Sequence, residues 1–471
     1  MLGLTLHSVQ AVPPGWAQAD RPADQLNRPA YQLLRFDEDW SGLRGLDLNA
    51  TGDFWDRLKF IPLTPDARVW LSLAGQVRER AEDFRHFLFG ASKPDDTDAY
   101  LVSRFRLSAD LHITPYLRLF AEGKASFALD RTLEGGRTSS FVDEFDLQNG
   151  FADIRIPLGR RADVTLRGGR QELLFGAQRL VGVSDFTNVR RTFDGGQGII
   201  RIGDWTISPF WAELVVVDKY KFNESTPDNK LFGIYSTGPL RLLPGSLDLY
   251  WFDADNAGVT INGTSGRERR HTLGTRTWGK IGQTNLDFEI EGAGQFGSVG
   301  RRDIAAGMFT AVLGYTLPVS GPSARVYLEF DYGSGGSKRG GTVGTFNELY
   351  PTGHSYLGYI DYIGRQNTIS PNAGVALSPT RDLTLSLQQY FFWRASDHDA
   401  LYNKSGQVFR PGTGTTASYV GAEIDLLATY NLTPHLLGYV GYSRFFTGDF
   451  IRKTGPAKDS DVFYGAMQYT F

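Results

Sequence analysis

The sequence predicts an all-β protein that forms a transmembrane antiparallel β-barrel. Three observations predict this fold: long segments in which apolar and polar residues alternate, connections that are short and long in turn, and a final strand that runs to the last residue. Soluble strands usually contain five or six residues, whereas about ten are needed to cross a bilayer at the usual tilt. The length of the alternating segments therefore favours a sheet that spans a membrane.

The segment 101–113 illustrates the alternation. Leu101, Phe105 and Leu107 share one face, whereas Arg104 and Arg106 share the other. A face of apolar side chains suits lipid, and a charged face suits a water-filled interior.

Eighteen segments of this kind can be counted, an even number as in single-chain bacterial barrels. The segments between 193 and 254 are the least regular, so a barrel of sixteen strands remains an alternative. The eighteen segments are 69–82, 99–113, 116–128, 144–157, 162–173, 193–203, 205–217, 230–240, 245–254, 269–280, 283–297, 303–318, 323–334, 365–379, 381–395, 415–432, 435–447 and 461–471.

The connections between these segments alternate in length. Eight short turns and nine longer loops join the segments if both termini lie on the short-turn rim, with a brief connection at 298–302 as the exception among the loops. A long polar connection is expected at 255–268. The last strand carries Phe463, Met467 and Phe471 on one face, and it must pair with the first strand because lipid cannot satisfy an open edge.

Composition excludes several other classes of protein. The chain of 471 residues has no run of eighteen apolar residues, which excludes a helical membrane span. It has no cysteine, which excludes disulfides and thiolate metal sites, and its net charge of -3 gives no general attraction to nucleic acid. No metal site or cofactor is expected. His398 between Asp397 and Asp399 can be a loop site for a divalent ion or simply part of a solvated loop.

The chain is expected to have three parts. Residues 1–19 resemble a truncated signal peptide that ends in a small-residue cleavage site, with a disordered tail as the alternative. Residues 20–66 are not strand-like and form a segment that lies on the periplasmic side or enters the lumen as a partial plug. Residues 67–471 form the barrel.

Several long motifs resemble the alginate-export family of outer-membrane channels. The likeness is carried by "LRGGRQELLFGAQRLVG" with "NVRRTFDG", and by "RERRHTLGTRTWG", "GTFNELYPTGHSYLGY" and "QQYFFWRASDHDALY". The resemblance implies a monomeric barrel of eighteen strands in the Gram-negative outer membrane. It also implies a lumen with an arginine-lined constriction that draws an acidic polysaccharide through as an extended chain.

The predicted pore lining consists of arginines on the polar faces of the strands. The residue at Gly169-Arg170-Gln171 matches a pore arginine of the family, although strict alternation places Arg170 on the lipid face unless Gly168-Gly169 forms a bulge. Basic residues concentrate on strands of the first 200 residues and acidic residues on those from 280 to 430, which predicts a transverse field across the pore. The predicted substrate-binding residues are Arg78, Arg104, Arg106, Arg118, Arg155, Arg170 and Arg394.

The predicted function is therefore a channel for an acidic oligo- or polysaccharide. A specific uptake porin for small organic anions, such as sugar acids or aromatic carboxylates, is the alternative, and we do not expect an enzyme. Eighteen strands about 4.8 Å apart give a ring roughly 36 Å across and a bore of about 15 Å if no loop folds in. The expected partners are outer-membrane lipid, the anionic substrate and periplasmic export or uptake components, with no nucleic acid.

Overall fold

A computed structural model describes residues 28–49, 51–240, 245–318, 321–336 and 341–471. The expected signal peptide at 1–19 lies outside the described residues, as does the beginning of the N-terminal segment.

Eighteen long strands form one closed antiparallel barrel, which confirms the predicted fold and strand number. The strands are Trp70–Arg85 (β1), Thr97–Thr114 (β2), Leu117–Leu129 (β3), Asp143–Pro157 (β4), Ala162–Gln171 (β5), Phe193–Ile202 (β6), Trp205–Val216 (β7), Glu224–Leu240 (β8), Gly245–Ile261 (β9), Thr264–Lys280 (β10), Leu286–Val299 (β11), Arg302–Leu317 (β12), Ser323–Gly333 (β13), Thr368–Ser378 (β14), Leu383–Arg394 (β15), Tyr419–Asn431 (β16), Leu436–Thr447 (β17) and Ser460–Thr470 (β18).

The first and last strands close the ring. β1 pairs with β18 from Gln76 opposite Thr470 to Arg85 opposite Asp461. The backbones of Gly75 and Phe471 exchange two hydrogen bonds of 2.9 Å, so pairing extends to the final residue. The Phe471 ring lies over Gly75, where a Cβ would be only 2.4 Å from the ring, so a side chain at this position would displace the terminal aromatic.

Alternation of the side chains separates a wet interior from an apolar exterior. Leu107 is 66% exposed on the outer face of β2, and Phe105 and Leu119 also point outward. Their neighbours Arg104 and Arg106 are buried on the inner face. Every second residue of each strand faces the interior, and these inward positions carry the polar side chains.

The connections follow the predicted pattern of short turns on one rim and mostly longer loops on the other. The expected long connection at 255–268 is wrong: β9 and β10 extend to meet at Asn262 and Gly263, both of which have positive φ. A two-residue turn with positive φ at both positions matches the twist of the flanking strands, which allows the hairpin to continue. The brief connection at 298–302 is confirmed as a turn at 300–301.

Short elements lie outside the barrel wall. They are 3-10 turns at Arg35–Asp37, Ser41–Leu43 and Gly353–Ser355, helical turns at Asp56–Lys59, Phe87–Gly90 and Asp449–Thr454, and short strands at Ile61–Pro62, Thr342–Val343, Leu401–Tyr402 and Val408–Arg410. In the described part of the chain, no helix is long and apolar enough to span a bilayer.

Candidate functional site

A row of arginines covers the inner face of β1 and β2. Arg78, Arg80, Arg104 and Arg106 are each less than 4% exposed. They lie close together because Arg78 is directly opposite Arg104 across the strand pair, and each strand brings a second arginine two residues away. Four guanidinium groups on one wall require partners, since a buried charge without hydrogen bonds is costly.

The partners come from the connection between β5 and β6, residues 172–192, which we name the spanning loop. Arg78 donates to the carbonyl oxygens of Asp185, Phe186 and Thr187 at 2.9, 3.2 and 3.1 Å. Arg104 donates to the carbonyl of Asp185 at 2.9 Å and to its carboxylate at 3.0 Å. The spanning loop therefore occupies donors that would otherwise point into the lumen.

The same loop reaches the opposite wall. Arg179 pairs with Glu291 of β11 at 2.9 Å, with Glu289 of the same strand, and with Glu329 of β13 at 3.6 Å. In a ring of eighteen strands, β11 lies nine strands from β2 and therefore diametrically opposite it. The loop thus crosses the lumen with Asp185 toward the basic wall and Arg179 toward the acidic wall.

A second connection, here named the inward segment, comprises residues 344–367. Its His354 ring stacks on Phe186 of the spanning loop, with ring centroids 3.5 Å apart and an angle of 6°. The guanidinium of Arg80 lies 3.9 Å from the Phe186 centroid. Glu423 of β16 accepts a hydrogen bond from the Ile360 backbone at 2.9 Å. Together these contacts place two connections across the middle of the barrel, so the bore is narrower than the one expected without inward loops.

Burial and nearby charges shift the pKa of ionisable side chains in the spanning loop and the inward segment. Burial alone would raise the pKa of Asp185, but Arg104, Arg190 and Arg78 hold that pKa well below its usual range. Burial raises the pKa of Glu348 to about 7 even though Arg365 opposes the shift. Burial lowers the pKa of His354, against the effect of Asp361. Asp185 is therefore ionised at neutral pH, whereas the carboxyl group of Glu348 titrates near neutral pH.

Open space remains at the short-turn rim, in a cavity of about 640 Å³ that we name the mouth cavity. The barrel wall contributes Arg118, Arg155, Arg167 and Arg201, and aromatic surface comes from Trp70, His112 and Tyr116. Arg155 and Arg201 share a single carboxylate, Asp163, at 3.3 and 3.2 Å, and their side chains are 55% and 52% exposed. Donors of both arginines therefore remain available to an anion.

The N-terminal segment forms the other side of the mouth cavity. Phe36 packs on Phe120 and Phe151 of the inner wall, and its carbonyl accepts a 2.7 Å hydrogen bond from Arg118. Its neighbours Asp37, Glu38 and Asp39 line the cavity, with Arg44 beyond them. Asp37 thus lies near Arg118, Arg167 and Arg201 of the wall, whereas Glu38 pairs with Arg35 of its own segment at 2.7 Å.

The structure separates the seven predicted arginines into four places. Arg78, Arg104 and Arg106 lie together on the basic wall, where Arg106 pairs with Glu122 at 2.5 Å and Glu172 at 3.4 Å. Arg394 instead donates to the carbonyl oxygens of Ala417 at 2.5 Å and Asp399 at 2.9 Å, and so holds the connection 395–418.

Of the seven, Arg118 and Arg155 line the mouth cavity. Arg118 is paired with Asp110 at 2.7 Å, and it also lies 3.6 Å from Asp153.

Arg170 does not face the lumen. The register continues through Gly168 opposite Gly196 and Gly169 opposite Gly195 without a bulge, so Arg170 keeps the outward position that alternation gives it. It pairs with Asp194, directly opposite on β6, at 2.8 Å. The prediction that Arg170 lines the pore is therefore wrong, since the bulge on which it depended is not formed.

Sequence reasoning missed the lumen-crossing residues Arg179, Asp185 and Phe186. The spanning loop is rich in apolar residues, with buried Leu173, Leu180, Val181 and Val183, which is unusual for a solvated loop. That composition was the signal that this connection folds inward. Asp399, considered earlier as part of an ion site, accepts hydrogen bonds from Gly336 and Thr345, both at 2.6 Å, and so anchors loops.

Comparison with known families identifies the family of this chain. A family model described as alginate export matches residues 69–465. Comparison with curated protein sequences finds no significant match.

Several solved structures share the fold. OpdQ of Pseudomonas aeruginosa is 13% identical, with a TM-score of 0.56 over 85% of this chain and 98% of that one. OpdK of the same organism, in a structure with vanillate, is 10% identical, with a TM-score of 0.53 over 85% and 98%. OccK2 (OpdF), in complex with glucuronate, is 12% identical, with a TM-score of 0.53 over 85% and 96%. Likeness at this identity shows the fold alone.

Proposed function

The chain belongs to the alginate export family of outer-membrane channels, and from that premise we propose that it passes an acidic oligo- or polysaccharide along an arginine-lined path. The observation that carries the proposal is the mouth cavity, where Arg155 and Arg201 share one carboxylate. The guanidinium group is planar, permanently charged and able to bind a carboxylate through two hydrogen bonds. A uronate carboxylate is therefore a suitable ligand for these arginines.

The path continues from the mouth cavity to the basic wall. Arg106, Arg104 and Arg78 follow one another behind Arg118 on the inner face of β1 and β2. In this conformation the donors of Arg104 and Arg78 are taken by the carboxylate of Asp185 and by carbonyl oxygens of the spanning loop, and Arg106 is paired with Glu122 and Glu172. Substrate carboxylates can take the same donors when the loop moves aside. The spanning loop then acts as a gate, because its acceptor groups bind the same arginine donors that the substrate carboxylates would bind.

The test is anion selectivity in a planar bilayer under a salt gradient. Arg155→Gln/Arg201→Gln removes two half-exposed charges, and we expect the anion-to-cation permeability ratio to fall by about twofold or more, since charges at a pore mouth set the local ion concentration. Arg381→Gln, an exposed arginine on the same rim outside the mouth cavity, is the matched control. An unchanged reversal potential in the double variant would count against the proposal.

A second candidate function is uptake of small organic anions such as sugar acids or aromatic carboxylates. It is supported by the shared fold with structures described with vanillate and with glucuronate. The mouth cavity of about 640 Å³ also has the size of a small-molecule site. Faster flux of glucuronate than of a uronate oligomer into liposomes would favour this function.

The proposal includes the remaining expectations from the sequence. The barrel acts as a monomer without catalytic activity, embedded in outer-membrane lipid, and periplasmic export or uptake components are candidate partners. Residues 1–19 act as a truncated signal peptide, and the N-terminal segment narrows the periplasmic mouth through the packing of Phe36. We place the short-turn rim in the periplasm, as is usual for such barrels.

A further inference from the structure

Asp37 of the N-terminal segment brings a carboxylate without a direct partner into the mouth cavity. Its side chain is exposed and lines the cavity. In the part of the chain that the structure describes, this carboxylate accepts no hydrogen bond and joins no ion pair. The neighbouring acids differ, because Glu38 pairs with Arg35 at 2.7 Å and the Asp39 carboxylate accepts from the backbone of Ser41 at 2.9 Å.

The contacts of Phe36 fix the position of Asp37. The Phe36 ring packs against two phenylalanines of the inner wall, and the Arg167 guanidinium lies 4.5 Å from its centroid. The Phe36 carbonyl oxygen accepts a hydrogen bond from Arg118 at 2.7 Å. The next residue, Asp37, therefore lies beside two arginines of the wall. Arg201 is a third arginine whose charge acts on its carboxylate.

The arginines that the barrel wall contributes to the mouth cavity outnumber the wall carboxylates that pair with them. The ion pairs are Arg118 with Asp110, Arg167 with Asp153, and both Arg155 and Arg201 with Asp163. Four guanidinium groups thus meet three wall carboxylates, and Asp37 adds a fourth negative charge. Asp37 therefore supplies the counter-charge that the wall itself lacks.

The Asp37 carboxylate is held less firmly than a carboxylate in a direct ion pair. The loss of surrounding water inside the barrel mouth raises the pKa of Asp37, although Arg167, Arg118 and Arg201 act in the opposite direction. A direct pair with arginine would lower the pKa of a carboxylate. The three arginines therefore do not fully compensate for the lost hydration of Asp37. A ligand carboxylate that forms direct hydrogen bonds with one of them can displace it.

We propose that Asp37 is a specificity-determining residue, a tethered competitor that takes the place of a single substrate carboxylate among the arginines of the mouth cavity. This inference rests on the proposed function and concerns which acidic ligands the cavity admits. A tethered anion acts at an effective concentration of about millimolar, against which a ligand with one carboxylate must compete. An oligouronate also binds Arg155 and the arginines beyond it through its other units, so its affinity depends less on the position that Asp37 contests. Asp37 thus favours oligomers over single sugar acids.

The test measures the affinity of the full-length protein, purified in detergent, for glucuronate and for an oligouronate by isothermal titration calorimetry. Asp37→Asn removes the charge and keeps the shape of the side chain. We expect its dissociation constant for glucuronate to fall several-fold, and its dissociation constant for the oligouronate to fall by a smaller factor. Asp37→Glu keeps a carboxylate at this position and should retain the wild-type preference for the oligomer.

The matched control is Asp47→Asn, which makes the same change at an exposed aspartate of the N-terminal segment outside the mouth cavity. It should leave both dissociation constants unchanged. Heat-modifiable migration on gels verifies that each barrel is folded. Unchanged glucuronate affinity in Asp37→Asn, or an equal change for both ligands, would overturn this inference and leave the proposed function standing if the wild type binds the oligouronate. Absence of oligouronate binding to the wild type would overturn both.

Discussion

Phe186 is the side chain that joins the spanning loop to both the wall and the inward segment. Its ring lies between the Arg80 guanidinium, 3.9 Å from the centroid, and the His354 ring, 3.5 Å away. Replacing it with alanine leaves the backbone carbonyl that accepts from Arg78 and Arg80, and removes the ring contacts with Arg80, His354 and Tyr464. Phe186→Ala therefore tests whether this stack keeps the lumen closed.

The expected magnitude follows from the contacts of the ring. An aromatic pair contributes about 0.5–1.5 kcal/mol, and a cation–π contact in a desolvated site up to about 2 kcal/mol. Because the ring is half-buried, we expect a loss of about 2 kcal/mol in the free energy that favours the closed loop over the open one. A change of this size raises the ratio of open to closed states by about 30-fold.

The assay is single-channel recording in planar bilayers. We expect Phe186→Ala to increase the open probability and the conductance of the largest state. Phe330→Ala, at an outward position on β13 that is 39% exposed, makes the same chemical change on the lipid side and should leave both quantities unchanged. A folded Phe186→Ala barrel with wild-type conductance and open probability would refute the closure mechanism.

Two other predictions concern charges in the same region. Burial raises the pKa of Glu348 from 4.5 to about 7, so the stability that its protonated form contributes is fully present below pH 4.5 and falls by about 3 kcal/mol as pH rises to about 7. The open probability of the channel should therefore rise between these pH values. Glu348→Gln should flatten this dependence of open probability on pH, and the same slope in the variant would exclude Glu348 as its cause. Arg104→Gln leaves Asp185 without a main partner and should favour the open state by about 3 kcal/mol. Adding Asp185→Asn should recover part of this effect, and strictly additive changes in open probability would contradict a direct pair.

The barrel could be predicted because its signal is local and repeated. In a strand, neighbouring residues point to opposite faces, so Phe105 and Arg106 reveal lipid and lumen within two positions. The same logic placed Arg170 outward, against the resemblance that assigned it to the pore. For Arg170, the alternation of side chains along the strand was more reliable than the resemblance to the family motif.

The inward folding of these connections could not be predicted from the same pattern. Contacts of Arg179 with Glu289 and Glu291 join residues more than a hundred positions apart, and alternation within strands says nothing about where a loop goes. The sequence did indicate the opposite charges of the two walls. The structure adds the reason that these charges are fixed in place: the spanning loop carries the complementary charge to each wall.

The N-terminal segment shows the same limit. Its residues have no strand period, so the sequence left open whether they lie beneath the barrel or within it. Phe36 packs on the inner wall because β3 and β4 present Phe120 and Phe151 to the lumen near the short-turn rim. An apolar patch inside a polar barrel is visible only once the strands are paired.

The central claim is that acidic saccharides bind the arginines on the way through the barrel, and current blockade by an oligouronate tests it most directly. Added on the periplasmic side, the oligouronate should interrupt the single-channel current of the wild type, and Arg155→Gln/Arg201→Gln should shorten each interruption several-fold, whereas Arg381→Gln should not. A neutral oligosaccharide of equal length should pass without such interruptions. Equal blockade by the neutral and acidic oligomers, or equal blockade of the wild type and the double variant, would contradict the account.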